Sequence, residues 1–159
     1  MSPRTNWPTL ILLCAATFAL APFAPVKAQT QDDFASRRDK LIRTIDSLNS
    51  QTDPSVPWQY TMKLTPKNGR RVEVRMTSTF APDTPNGLAD GKTSVQTFTL
   101  PGAYTFDASK SAGSRISDMV AVHGKEYWNI GTFRTEGVAE GLGRALTNLN
   151  RLCAEYAGK

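Results

Sequence analysis

Cysteine, histidine and paired carboxylates are the side chains best able to do chemistry in this chain, and their number and spacing narrow what that chemistry is. The sequence holds two cysteines, Cys14 and Cys153, and one histidine, His123. Cys153 follows Leu149 by four and precedes Tyr156 by three, which sets it on the apolar stripe of a helix. There a thiol behaves as a small buried hydrophobe rather than as a nucleophile. His123 falls in a hairpin turn, His123-Gly124-Lys125, out of reach of the middle of a packed helix, so no Cys–His couple is expected. One histidine and one buried cysteine do not suffice for a zinc or copper site. Asp83, Asn86 and Asp90 share a Gly-rich loop but lack the every-second-residue oxygens of a calcium loop, and they read as turn residues. Residues 131–143 run strand, turn, glycine-spotted helix, without the glycine spacing or the lysine that cradles phosphate. No G-x-S-x-G or H-E-x-x-H is present. No catalytic residue, metal ligand or cofactor site is therefore expected. Asp107, Asp118, Glu126 and Glu73 remain as carboxylates whose approach in space would permit hydrolysis by paired acids.

Two surfaces suit binding instead. Lys63, Arg71 and Arg75, with Thr61, Thr65 and Thr77 beside them and Lys67 and Arg70 at the tip, share the polar side of one hairpin and suit an anionic glycan, a phosphate or an acidic partner. Tyr127 and Trp128 are adjacent in a strand, so their rings point to opposite faces. An exposed ring of that pair is a docking anchor.

The elements that position these residues follow from periodicity. Phe34, Leu41, Ile42, Ile45 and Leu48 recur at helical spacing over residues 32–50, with Thr30 or Asp32 as cap. Trp58, Tyr60, Met62 and Leu64 alternate with polar residues, as do Val72, Val74 and Met76 after Lys67-Asn68-Gly69, which gives an antiparallel hairpin. Side-chain parity forbids a two-residue turn there. A three-residue loop, 67–69, pairs Leu64 with Val72 and sets Lys63 across from Glu73. A loop over 81–91 leads to a strand at 93–100, Pro101-Gly102 turns the chain, and Tyr104 and Phe106 mark a short fourth strand before the Ser/Gly-rich segment 109–114. Residues 116–122 and 126–133 form a last hairpin whose faces alternate poorly, as in the middle of a sheet or at a docking site. Thr135 opens a final helix with the stripe Val138, Leu142, Ala145, Leu146, Leu149, Cys153 and Tyr156. Gly137 and Gly141 lie on one side of it, where a second backbone is expected to approach.

The amino terminus sets the compartment. Arg4 is followed by the apolar run 10–20 and by Pro22, Pro25 and the small residue Ala28, the pattern of a cleavable secretory signal over residues 1–28. The run is about half the roughly 20 residues needed to cross a bilayer. Removing Arg4 and Lys27 from 19 cations, against 14 anions, leaves a net charge of +3. That is far from the basic stripe of a nucleic-acid binder. Cys14 leaves with the signal, so the remaining chain has no internal disulfide.

The sequence thus predicts an α+β domain over residues 29–159: an antiparallel sheet of about five strands with an N-terminal and a C-terminal helix packed on one face. It is expected in the periplasm or secreted, with no transmembrane anchor after cleavage. The expected role is that of a non-catalytic binding or accessory protein of the cell envelope, of partner, inhibitor or immunity type, toward an envelope protein or an anionic glycan and not toward nucleic acid. The rival readings are a small envelope hydrolase using paired carboxylates and a carrier with an apolar cavity between sheet and helices.

Overall fold

The structure, a computed structural model, describes residues 26–80, 93–110 and 117–157. Residues 1–25 of the segment expected as a leader, the segment expected as a loop with Asp83, Asn86 and Asp90, and Ile116 lie outside the described residues, whereas residues 26–28 of the expected leader open α1. The order is α1 (Val26–Asn49), β1 (Trp58–Lys67), β2 (Arg71–Phe80), β3 (Thr93–Leu100), β4 (Thr105–Lys110), β5 (Ser117–His123), β6 (Glu126–Phe133) and α2 (Glu136–Ala157). No helix among the described residues is long and apolar enough to cross a membrane.

The six strands form two three-stranded antiparallel sheets, β1-β2-β3 and β4-β5-β6, which corrects the expectation of a single sheet of about five. The division falls between β3 and β4, where Asn150 of α2 grips the turn. Gly102 N donates to Asn150 Oδ1 at 2.9 Å, and Asn150 Nδ2 donates to Gly102 O at 3.0 Å. One amide thus satisfies both backbone groups of the turn and holds it against the helix. The chain then enters β4, whose only strand partner among the described residues is β5.

The helices do not share one sheet face either. α2 crosses β4, β5 and β6 and reaches β2 and β3, whereas α1 lies along α2 and meets β1. Ala139, Leu142, Leu146, Leu149 and Cys153 of α2 are sealed from solvent against Phe106, Met119, Ala121, Ile130 and Phe133 of the second sheet and Val72, Val74 and Leu100 of the first, all in one core. Close approach to α2 occurs at Gly143 rather than at Gly137 or Gly141. A Cβ on Gly143 would stand 3.1 Å from the Phe106 carbonyl oxygen, whereas Gly137 faces open space and Gly141 only the Leu48 side chain. α1 begins at Val26, so Thr30 and Asp32, expected as caps, lie inside it. Its Phe34 ring meets Tyr156 of α2 with centroids 5.2 Å apart, and the Tyr156 hydroxyl donates to Asp33 at 2.7 Å.

The first hairpin keeps the expected faces and shifts its register by two residues. Met62, Leu64, Val72, Val74 and Met76 are buried, but Leu64 stands opposite Val74 and Lys63 opposite Arg75. Parity fixes register only in steps of two, and the loop chooses between them. Here Gly69 and Arg70 both have positive φ, and the Arg70 guanidinium donates to Tyr156 O at 2.9 Å and lies over the Tyr156 ring. Those contacts offset the strain, on the order of 1–3 kcal/mol, of a non-glycine residue in that conformation. Glu73 consequently pairs with Lys67, at 3.2 Å, instead of Lys63.

The poor alternation of the last hairpin has a specific cause. The register shifts between Met119 and Val120, whose partners are Gly131 and Asn129, so Ile130 is an extra residue in β6. A bulge of this kind changes which face the following residues occupy. Residues 130–133 are all buried as a result. The end of β6 is then pinned beyond its own sheet, with Thr52 bridged to Phe133 and Asp53 N donating to Thr132 O at 2.8 Å.

Replacing Asn150 by Ala leaves the two Gly102 backbone groups without their partner. The expected loss is about 1–3 kcal/mol, read as a lower urea midpoint, and a change below about 0.5 kcal/mol would show that α2 does not hold the turn.

Candidate functional site

Even-numbered residues of β1 and of β2, and of β3, point to the inner face of the first sheet. Toward the hairpin tip this face is apolar and covered: the rows are Leu64–Val74–Phe98 and Val72–Leu100. Toward the opposite end the chemistry changes. The row Met62–Met76–Gln96 is followed by Tyr60–Ser78–Ser94, with Trp58 beyond. Here the inner face forms one wall of a groove of about 290 Å³, and Tyr127, Trp128 and Asn129 of β6 line the other.

Trp128 and Asn129 are held by nameable contacts, and so is the approach to Trp58. Gln59 Nε2 donates to Val56 O at 2.8 Å and steadies the approach to Trp58. Trp128 is half-buried, its ring nearly parallel to Phe98 with an interplanar angle of 8° and centroids 6.2 Å apart. Tyr104 backs both rings, 4.8 Å from Phe98 and 6.2 Å from Trp128. Asn129 Oδ1 accepts from Gly131 N at 3.0 Å across the bulge, which leaves its amide N–H groups to face outward bonding. Tyr127 is 76% exposed and Trp58 38%. Among the described residues, the side chains of Tyr60, Ser78, Ser94 and Gln96 make no hydrogen bond, so each offers donor and acceptor capacity to a ligand.

The groove holds no Lys, Arg, Asp, Glu or His among its lining residues. The Asp118 carboxylate acts on one of them, Tyr60. Burial, and then this carboxylate, push the Tyr60 hydroxyl above the ordinary tyrosine value, so it remains a neutral donor. A bound anion would feel the same repulsion.

The two surfaces singled out in the sequence fall on opposite sides of the molecule's first sheet. Tyr127 and Trp128 border the groove, at its inner face. Lys63, Arg71 and Arg75 are exposed on the outer face. The carboxylates do not converge on the groove. Glu73 pairs with Lys67 on the outer face of the first sheet, and Asp107, Asp118 and Glu126 belong to the second. Asp118 accepts from Thr132 Oγ1 at 2.7 Å, and Glu126 is exposed at the β5–β6 turn. A hollow of about 440 Å³ between α2 and the second sheet is lined by Phe106 and Met119 but also by Asp107, Glu140, Arg144 and Asn148. No group of three His, Cys, Asp or Glu among the described residues is placed to hold a metal ion. His123 packs against Tyr104, ring centroids 4.9 Å apart, while Cys153 lies in the core on α2.

Trp58, Tyr60, Ser78, Ser94, Gln96 and Asn129 escaped the sequence reading as site residues. A signal was present: Ser78, Ser94 and Gln96 occupy the side-chain parity of Val72, Val74, Met76 and Phe98, where a continuing core would carry apolar residues. Comparison of the chain with known families, with characterised proteins and with solved structures finds no significant match.

Burial pushes the Cys153 thiol up to about 11, with the Arg38 charge pulling weakly the other way. Between about 9 and 11 the folded chain keeps this proton and the unfolded chain releases it, so stability complete below about 9 is lost as pH rises through that window. The difference in thermal midpoint between wild type and Cys153→Ala should therefore shift against wild type from pH 9 to 11. A difference that does not change with pH contradicts the burial of the thiol.

Proposed function

We propose that the chain is an exported, non-catalytic binding protein of the cell envelope, and that the groove at the open end of its first sheet seats an uncharged, hydroxyl-rich ligand, a stretch of neutral glycan. The observation that carries this reading is the change of chemistry along one sheet face, from sealed Leu, Val and Phe to unbonded Tyr, Ser, Ser and Gln facing the exposed Tyr127 ring and the half-buried Trp128 ring. Aromatic faces carry negative potential, and the C–H face of a sugar ring presents the complementary positive edge. Serine hydroxyls and side-chain amides both donate and accept, which matches hydroxyl groups. Sites of this kind combine apolar and aromatic walls with a few polar groups that fix orientation.

Export rests on the leader over residues 1–28, and its compartment supplies the glycan. The anionic partner expected from the sequence divides accordingly. The uncharged groove suits sugar rings, while the cations belong to the other face of the sheet and are treated separately below. No lining residue of the groove supplies an ionised acid, or a base that would activate its serine and tyrosine hydroxyls, so the reading is one of binding without turnover.

The test is calorimetric titration of the exported chain, recovered from the periplasm with Gln29 as its first residue, with neutral hexose and N-acetylhexosamine oligomers. Binding without hydrolysis is expected for at least one class. Tyr127→Ala should weaken it about 2- to 12-fold, the equivalent of one aromatic contact, with the thermal midpoint unchanged because the ring is exposed. Absence of binding by every neutral oligomer, or affinity indifferent to both Tyr127→Ala and Gln96→Ala, would refute the assignment.

A further inference from the structure

The outer face of the first sheet carries an arrangement that a merely solvated surface does not require. Lys63 stands directly opposite Arg75 and, two rows away, Lys67 directly opposite Arg71. Like charges facing each other across strands are destabilising. Between the two cation pairs lies the row Thr65–Glu73, and Glu73 is committed to Lys67 at 3.2 Å. Among the described residues Lys63, Arg71 and Arg75 make no ion pair. Four cations thus stand in two opposed pairs around one carboxylate, which compensates Lys67 and leaves Lys63, Arg71 and Arg75 without an ion pair among the described residues. The pairs are four residues apart along the strands, or about 13 Å at the ordinary strand rise.

From this juxtaposition we propose that the outer face of β1-β2-β3 docks on an anionic lipid bilayer, the cations meeting lipid phosphates. The two cation pairs are spread along one sheet face, about 13 Å apart, rather than converging on one point, which matches an extended charged surface better than a single small anion. Val95 is 48% exposed on this same face, opposite Thr77. An exposed apolar side chain among cations gains from the headgroup boundary, where apolar contact and electrostatic attraction act together. Each Lys or Arg near such a surface is attracted to its negative potential, and the attraction falls off within a Debye length. Because side chains alternate across a strand, the groove opens on the opposite face of the same sheet. Docking therefore leaves the groove accessible, and the two binding events are independent.

Flotation of the exported chain with vesicles tests the proposal, comparing pure phosphatidylcholine with an equal mixture of phosphatidylcholine and phosphatidylglycerol. Partition onto the mixed vesicles alone is expected, falling as sodium chloride is raised. Neutralising one opposed pair, Lys63→Gln with Arg75→Gln, should lower partition about 30-fold, the loss of two surface-attracted cations, while the thermal midpoint is kept or raised because a like-charge contact is removed. Tyr127→Ala should float as wild type does, which separates this face from the groove. Equal partition onto both vesicles, partition unaffected by the paired neutralisation, or binding of soluble polyphosphate without binding of anionic vesicles would each overturn the proposal.

Discussion

One helix must seal two sheets in this fold, and most of the architecture follows from that constraint. A three-stranded sheet with an apolar face is not stable in water uncovered, and here there are two such faces with α2 lying across both. Its buried stripe, from Ala139 to Cys153, is shared between them, and α1 adds its apolar side mainly to α2 rather than to a sheet. Gly143 lets the second sheet come within backbone contact, and Asn150 fixes the turn at which the chain leaves the first. The arrangement is one core with two curved walls.

A helix that serves two sheets cannot cover either completely. The first sheet is the longer, with β1 and β2 of ten residues each, and its cover runs out beyond the row Met62–Met76. From there the inner face could not stay apolar without exposing a large greasy patch. Instead it carries Tyr60, Ser78, Ser94 and Gln96, and the bulged edge of β6 brings Tyr127, Trp128 and Asn129 alongside. The groove is thus the uncovered remainder of the core. The phenylalanine and tyrosine rings behind Trp128 hold its orientation, so much of the cost of ordering an aromatic platform is met in the folded state.

Much of this was legible in the sequence where the signal is local. The α2 stripe, the inward parity of Met62, Leu64, Val72, Val74 and Met76, the strand at residues 93–100 and the outward placement of Lys63, Arg71 and Arg75 all follow from periods of 3.6 and 2. What was not legible depends on contacts far apart in the chain. The division into two sheets rests on Asn150 meeting Gly102, 48 positions away. The register of the first hairpin rests on Arg70 reaching the end of α2, and the two registers share the same parity. The bulge at Ile130 showed only as poor alternation, which a central strand produces as well. The groove was half visible: Tyr127 and Trp128 stood out by type, whereas Ser78, Ser94 and Gln96 are informative only once their rows are known to continue those of Val74 and Phe98.

The first sheet consequently presents two faces of different chemistry, uncharged and aromatic within, cationic without, separated by the thickness of one strand layer. Their functional assignments stand or fall separately, but the groove is the more demanding claim because it requires the described geometry of both walls. Trp58 and Trp128 are the only tryptophans among the described residues, and they belong to opposite walls of the groove. The most direct measurement is the pair of indole N–H signals in a nitrogen–proton correlation spectrum during titration with a neutral oligosaccharide. Both signals should move together along one saturable curve. If a sugar binds and only one indole responds, or neither does, the two walls do not form a single seat.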